Sequence, residues 1–220
     1  MANYQKHSQA KEVFAGLRVL KPSGESVLLS DAWKERPVVL KVLARLGCAA
    51  CQYEAQAMSA LHPLLEEQGV GLVAVTFEDV DLELFLKCGY WKWDILIDPK
   101  RQVYQAAGLM KTGTNKSIKT LFSRRPSQCL ELLEEKGFFY NSRRDICQLG
   151  GTFVIDTNGT FIYEFRPSEM AMLPSLREII SVVGGDPEDI EDDSLKAFTC
   201  PGNKDPFKKK SKFRLSFKFL

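Results

Sequence analysis

The apolar positions of the chain predict a βαβ unit in its first third. Residues 38–43 and 70–77 are almost continuously apolar, which is typical of strands that are buried on both faces. Between them apolar residues recur at helical spacing up to Gly69, and Pro63 is expected to kink this helix. A strand, a crossover helix and a second strand place the two strands parallel, with the helix over one face of the sheet.

Shorter patterns predict the remaining elements in chain order. They are two strands around a turn at residues 22–25, a helical turn at 30–33, helices over 79–87 and 101–109, a strand over 95–98, a helix between Ser127 and Gly137, a hairpin of strands 151–156 and 160–165 joined through Asn158 and Gly159, and a helix that Pro174 opens and Gly184 ends. Parallel strands with crossover helices, closed by an antiparallel hairpin and a last helix, predict an α/β fold of thioredoxin-like type. In this three-layer sandwich a central mixed sheet lies between helices.

Composition limits the number of domains and suggests where they end. A chain of 220 residues with 45% hydrophobic residues can bury one core of ordinary size. We predict an N-terminal extension over residues 1–16, one domain over 17–185, and a disordered tail over 186–220 that is first acidic and then basic. The net charge of +2 gives the domain no strong field, and no nucleic acid partner is expected.

The two ends of the sequence contain the features that are relevant to cellular location. Residues 208–220 interleave basic and aromatic side chains, a pattern that favours weak contact with anionic membrane surfaces, at about 1 kcal/mol for each Lys or Arg. A solvated, disordered tail is the alternative. The first residues contain no apolar signal region, and no run reaches the roughly 18 apolar residues of a membrane span. We therefore expect a cytosolic protein in which most of the six cysteines are free thiols.

The candidate chemistry lies between the first buried strand and its helix, at Cys48 and Cys51. Unpaired N–H groups and the helix dipole stabilise an anion in the first turn, so that the Cys48 thiol is expected to titrate below a free thiol. Arg45 adds a nearby positive charge, and Cys51 is close enough to form a disulfide. The strand before the pair and the helix after it favour a redox centre without a metal. Half of a zinc site and two inert thiols are the alternatives.

Several segments in order resemble the peroxiredoxin-like 2 family, a branch of the alkyl hydroperoxide reductase superfamily. They are residues 45–55, 71–75, 93–99 with 103–104 and 108–109, and 148–151, and the similarity covers roughly residues 17–185. The resemblance implies a thioredoxin-like oxidoreductase that reduces the lipid endoperoxides prostaglandin H and prostamide H to F-series products. It also implies that no cofactor is bound and that electrons come from NADPH through thioredoxin, the expected protein partner.

Comparison with that superfamily suggests further site residues. Gly150 and Gly151 occupy the place of the cis-proline of thioredoxins, where they leave room for substrate or pack tightly beside a strand. Trp93 belongs to a set of aromatic residues that either line a groove for the lipid or fill the core. Cys48 is the preferred nucleophile, whereas the peroxiredoxin register, with Glu54 three residues later, assigns that role to Cys51.

Either order of attack fits one cycle. A thiolate attacks a peroxide oxygen, the second cysteine displaces the adduct, and thioredoxin reopens the disulfide. Arg45 either stabilises the developing oxyanion or is a solvated residue at the strand end. Two other functions stay open: a general peroxide or protein-disulfide reductase, and a non-enzymatic redox sensor whose basic tail contacts membranes.

Overall fold

A computed structural model describes residues 9–78, 81–111, 138, 148–168 and 172–190 of the chain. The helix predicted between Ser127 and Gly137, most of the segment 111–148, and the basic residues 208–220 therefore lie outside the described residues. So do Cys129, Cys147 and Cys200.

The described residues form a mixed seven-stranded sheet, as the sequence predicts. Its strand order is β2-β1-β5-β4-β3-β6-β7. β3, β4 and β5 run parallel, while β1, β2, β6 and β7 pair antiparallel with their neighbours. The strands are β1 (Arg18–Leu20), β2 (Ser26–Leu28), β3 (Val38–Val42), β4 (Gly71–Thr76), β5 (Asp94–Ile97), β6 (Gly151–Ile155) and β7 (Phe161–Phe165).

Helices cover both faces of this sheet, so the predicted three-layer sandwich is confirmed. One face packs against α2, α3, α4 and α6, and the other against α1, α5 and a 3-10 turn at Leu29–Trp33. The helices are α1 (Ala10–Val13), α2 (Ala49–Ala60), α3 (His62–Glu67), α4 (Leu82–Lys87), α5 (Gln102–Ala106) and α6 (Leu176–Val182). None of these described helices is long and apolar enough to cross a membrane.

Pro63 divides the predicted kinked helix into two. α2 ends at Ala60, and α3 begins at His62 with Pro63 in its first turn. A proline is tolerated there because the first turn of a helix needs no N–H donor, whereas inside a helix it removes a hydrogen bond. The prediction of one kinked helix is therefore wrong. The last helix also starts later than predicted, at Leu176, where the Ser175 hydroxyl accepts a hydrogen bond from the Glu178 N–H.

The packed body extends on both sides of the predicted domain boundaries. Ala10 and Phe14 are buried in the core that contains α5, although both lie in the predicted extension. At the other end a 3-10 turn at Pro187–Asp189 leads to Ile190, which is buried against the core that contains α2. The body thus begins by Ala10 and continues to Ile190.

Candidate active site

The two cysteines lie at the beginning of α2, close to the carboxyl end of β3. Cys48 is the N-cap residue with extended backbone, and Cys51 falls in the first turn. Both are free thiols with half-buried side chains. The Gln52 N–H donates to the Cys48 carbonyl at 2.9 Å, which closes the first turn of the helix. The predicted Cys-x-x-Cys at a helix N-terminus is therefore confirmed.

The surroundings of the two thiols separate their acidities. The Cys51 thiol donates a hydrogen bond to Cys48 and lowers the pKa of Cys48 to about 7. The backbone N–H groups of Cys51 and Ala50 and the charge of Arg45 act in the same direction, against the opposing effect of burial. The hydrogen bond to Cys48, burial and the Cys48 charge raise the pKa of Cys51 well above its ordinary value. Near neutral pH a large share of Cys48 is therefore thiolate, while Cys51 keeps its proton.

Arg45 lies in the loop that joins β3 to α2, and its side chain is buried. The alternative of a solvated strand-end residue is therefore wrong. The peptide group of Leu46 fixes the same loop from both sides: its N–H donates to Glu78 Oε2 at 2.8 Å, and its carbonyl accepts from Gln52 Nε2 at 2.9 Å. These two contacts hold the residues that lead to Cys48 in one position.

A buried polar cluster lies next to Cys51 on the α2 side of the sheet. Lys41, in the middle of β3, is 1% exposed, and its Nζ binds the carboxylate of Glu54 on α2. The same Nζ donates to Thr152 Oγ1 at 3.3 Å, across the antiparallel pair of β3 and β6. Glu54 follows Cys51 by three residues, a spacing that puts two side chains on one face of a helix. The charges of Glu54 and Lys41 both act on the Cys51 thiol, in opposite directions.

Sequence analysis missed this cluster, although one feature of the sequence indicates it. Lys41 interrupts the apolar run 38–43, and a lysine in a fully buried strand needs a partner of opposite charge. Its neighbours Val39 and Leu43 on the same face pack against the core that contains α2. Within the described ranges no three His, Cys, Asp or Glu side chains lie together as metal ligands would.

The two glycines of the predicted substrate site are packed against the chain itself. A Cβ atom at Gly150 would lie 2.3 Å from the Val42 carbonyl oxygen and 2.9 Å from the Ala44 nitrogen. At Gly151 it would lie 2.7 Å from a methyl carbon of Leu109. Tight packing, the second of the two interpretations, therefore describes both positions: β3 and its loop fill the space at Gly150, and Leu109 with β6 and β7 fills it at Gly151. A substrate contact by either residue stays a prediction.

Trp93 is not brought to the thiols. Its Nε1 donates to the Ser59 carbonyl at 2.8 Å, and its ring stacks on His62 with 3.2 Å between centroids. Ser59 lies eight residues beyond Cys51 in the same helix, or roughly 12 Å along the axis at 1.5 Å per residue. The indole packs at the far end of α2, which fits the alternative of core packing, and a contact of Trp93 with a lipid substrate stays a prediction.

Comparisons with known proteins give a consistent picture. The family model described as "AhpC/TSA antioxidant enzyme" matches residues 57–169, a match that begins after both cysteines. A protein named prostamide/prostaglandin F synthase from Salmo salar is 32% identical over 145 residues, which is 66% of this chain and 72% of that protein. The Homo sapiens protein of the same name is 29% identical over 137 residues, or 62% of this chain and 69% of its own length.

Solved structures share the fold at much lower identity. The peroxidoxin BcpB of Mycobacterium tuberculosis superposes with a TM-score of 0.57 at 17% identity, over 80% of this chain and 94% of that one. Peroxiredoxin Q of Xanthomonas campestris has a TM-score of 0.54 at 11% identity, over 81% of this chain and 95% of that one. These likenesses show the thioredoxin-like fold that carries the cysteine pair.

Proposed function

The chain belongs to the AhpC/TSA antioxidant enzyme family and is an oxidoreductase of peroxiredoxin-like type, and from this premise we propose that it reduces lipid endoperoxides of the prostaglandin H class. The observation that carries the proposal is the pair at the start of α2, in which the pKa of Cys48 is lowered to about 7 beside a protonated Cys51, so that Cys48 is largely available as a thiolate near neutral pH. A thiolate with a second thiol within bonding range can deliver two electrons to a peroxide.

The proposed reaction has two steps on the enzyme. The Cys48 thiolate attacks one oxygen of the O–O bond, which breaks, and the second oxygen leaves as an alkoxide that takes a proton. Cys51 then attacks the Cys48 sulfur, forms the disulfide and releases the first oxygen as a second hydroxyl group. Arg45, buried beside Cys48, is suited to stabilise the alkoxide as its charge develops.

The names of the relatives support the substrate class. Proteins named prostamide/prostaglandin F synthase from Salmo salar, Homo sapiens, Danio rerio and Bos taurus match this chain at 28–32% identity. Conversion of the endoperoxides of prostaglandin H and prostamide H into F-series diols consumes two electrons and two protons. This is the stoichiometry of one dithiol cycle.

The electron source and the location belong to the same proposal. Thioredoxin reduces the Cys48–Cys51 disulfide and is itself reduced by NADPH, so the protein needs no bound cofactor. We place the reaction in the cytosol, with weak contact between the basic residues 208–220 and anionic membranes where lipid substrates reside. Binding of anionic liposomes by the full chain, and its loss on deletion of residues 204–220, tests that contact.

The decisive experiment measures NADPH oxidation by the purified protein with thioredoxin and thioredoxin reductase. Prostaglandin H endoperoxide and hydrogen peroxide are compared as substrates in the wild type and in Cys48→Ser, Cys51→Ser and Cys88→Ala. We expect turnover that is selective for the endoperoxide, lost in the first two variants and retained in the third, because Cys88 is buried at the end of α4 and does not belong to the first turn of α2.

The other outcomes assign other functions. Equal rates on both substrates favour a general peroxide reductase, which the family description as an antioxidant enzyme also fits. Full activity of both Cys48→Ser and Cys51→Ser refutes the dithiol cycle. Consumption of neither substrate leaves a redox sensor as the remaining function of the pair.

A further inference from the structure

The polar cluster of Lys41, Glu54 and Thr152 has no part in the attack by Cys48, yet it includes Glu54, which lies one turn after the other thiol, Cys51, in α2. Lys41 is buried in β3 and bonded to Glu54 and to Thr152. The side chain of Glu54 retains 14% exposure, so that it adjoins both the buried lysine and solvent. Its position one turn after Cys51 puts the carboxylate on the thiol's side of α2.

Cys51 needs a proton acceptor in the second half of the cycle. In the reduced protein the hydrogen bond to Cys48, burial and the Cys48 charge keep Cys51 protonated. Oxidation of Cys48 removes the hydrogen bond and the charge, but burial and the charge of Glu54 persist and still favour the neutral thiol. Since only the thiolate attacks a sulfur efficiently, the Cys51 proton must move to a nearby base as the disulfide forms.

We propose that the Glu54 carboxylate accepts the Cys51 proton when Cys51 attacks the oxidised Cys48, and that Lys41 is the positioning residue that holds Glu54 for this transfer. The inference rests on the proposed dithiol cycle and specifies its second step. Among the described side chains, Glu54 is the one carboxylate that acts on the Cys51 thiol.

The step balances in atoms and electrons. The Cys51 S–H bond breaks and its proton forms an O–H bond on Glu54. The sulfur lone pair forms the S–S bond to Cys48, and the Cys48–oxygen bond breaks with its electron pair on the departing oxygen, which is protonated to a hydroxyl. Two thiols have then become a disulfide. When a thiolate of the reductant reopens that bond at Cys48, the released Cys51 thiolate is protonated from solvent by way of Glu54.

The Lys41–Glu54 ion pair lowers the electrostatic free energy that is needed for the transfer of the proton from Cys51 to Glu54. Before it, Lys41 faces a negative Glu54; after it, Lys41 faces a neutral Glu54 and a negative Cys51 sulfur. During the transfer the buried cluster therefore keeps one positive and one negative charge. Once the disulfide has formed, Glu54 releases the proton to solvent through its exposed edge and again pairs with Lys41 as a carboxylate. The Thr152 hydroxyl accepts its hydrogen bond from Lys41 Nζ.

The second step can be isolated from any peroxide chemistry with one equivalent of 5,5′-dithiobis(2-nitrobenzoate). The Cys48 thiolate reacts first, releases one aryl thiolate and leaves a mixed disulfide. Cys51 then attacks the Cys48 sulfur and releases the second aryl thiolate, whose absorbance reports the step directly. Cys51→Ala, which lacks the second nucleophile, releases only the first.

We expect Glu54→Gln to slow the second release by roughly 100-fold or more, since a positioned base typically contributes about 10²- to 10⁴-fold, while the first release changes less than about twofold. The unchanged first release also shows that the variant is folded. The slowed step should recover as pH rises, because solvent then removes the proton, and Glu54→Asp should restore part of the rate. Glu67→Gln, the same change at an exposed position of α3, should match the wild type.

The sign of the effect separates proton transfer from simple electrostatics. If Glu54 acted only through its charge, its neutralisation would favour the Cys51 thiolate and accelerate the second release. A faster or unchanged second release in Glu54→Gln would therefore overturn the inference while the dithiol cycle stands. A wild type that releases only one equivalent would instead overturn the cycle on which both proposals rest.

Discussion

At the residue scale, two cysteines that lie three positions apart at the start of α2 have opposite roles. Cys48 is the N-cap residue, and the backbone N–H groups of Ala50 and Cys51 help to lower its pKa, while Cys51 lies inside that turn and donates its thiol proton to Cys48. The lower pKa of Cys48 agrees with the nucleophile that sequence analysis preferred over the one that the peroxiredoxin register assigns, and the order of attack stays a prediction. Position within the turn, rather than spacing to other cysteines, makes the difference.

This arrangement predicts how Cys48 responds to loss of its donor. In the wild type, alkylation of Cys48 by iodoacetamide should increase with pH and reach half its maximum near the pKa of about 7. In Cys51→Ala the strongest stabilising contact of the thiolate is gone, the pKa of Cys48 rises, and the rate at pH 6.5 should fall by about threefold to tenfold. Mass spectrometry of the peptide that contains Cys48 follows the reaction.

The matched control for that experiment is Cys51→Ser, which replaces the thiol donor by a hydroxyl donor at the same place. Its midpoint should stay close to that of the wild type. Identical midpoints in all three proteins would show that the hydrogen bond from Cys51 does not set the acidity of Cys48.

At the scale of elements, the sequence was sufficient to predict a helix, strand or turn wherever the local pattern of residues determines it. The apolar runs predicted β3 and β4, helical spacing predicted the crossover, and Asn158 with Gly159 predicted the β6–β7 hairpin. The buried polar contacts could not be predicted, because each joins residues from different elements: Lys41 reaches Thr152 across 111 positions and Leu46 reaches Glu78 across 32. Only the lysine inside an apolar strand indicated that such a contact exists.

The β3–α2 loop depends on one of these contacts. In Gln52→Leu the side chain keeps its volume but loses the amide that donates to the Leu46 carbonyl, which leaves a buried acceptor unpaired at a cost of about 1–3 kcal/mol. We expect faster hydrogen exchange at the backbone amides of residues 46–48, with smaller changes in the rest of the sheet. Cys48 turnover should fall as the loop loses its fixed position.

Gln56→Leu, one turn further along α2, makes the same chemical change at a half-buried position away from the loop. Its exchange at residues 46–48 should equal that of the wild type. Equal exchange in both variants would mean that Glu78 alone holds the Leu46 peptide group.

At the scale of the whole molecule, the packed body is longer at both ends than hydrophobic periodicity predicts. The terminal segments are too short to show a periodic hydrophobic pattern. Each is held to the core by a single large side chain. Phe14 packs edge-on against Phe161 and Phe153, with centroids 5.7 Å and 6.3 Å apart. Ile190 follows the turn that Arg177 joins to α6 through Glu188 at 2.7 Å. A large apolar residue in a polar segment, such as Phe14, indicates that it could dock on the core, but its partners and the position of Ile190 become clear only in the folded structure.

The last of these anchors predicts where the domain ends in energetic terms. Ile190 is 9% exposed and packs in the core that also contains Ile179 of α6, so Ile190→Ala in the full chain should lower the free energy of unfolding by about 2 kcal/mol or more. Val182→Ala is the control, because Val182 is 40% exposed and its truncation should cost less than about 1 kcal/mol. Urea denaturation curves compare both variants with the wild type. Equal midpoints for the two would place Ile190 outside the cooperative unit and return the domain boundary to the region of Gly185, whereas the expected difference shows that residues 186–190 fold with the sheet that carries Cys48 and Cys51.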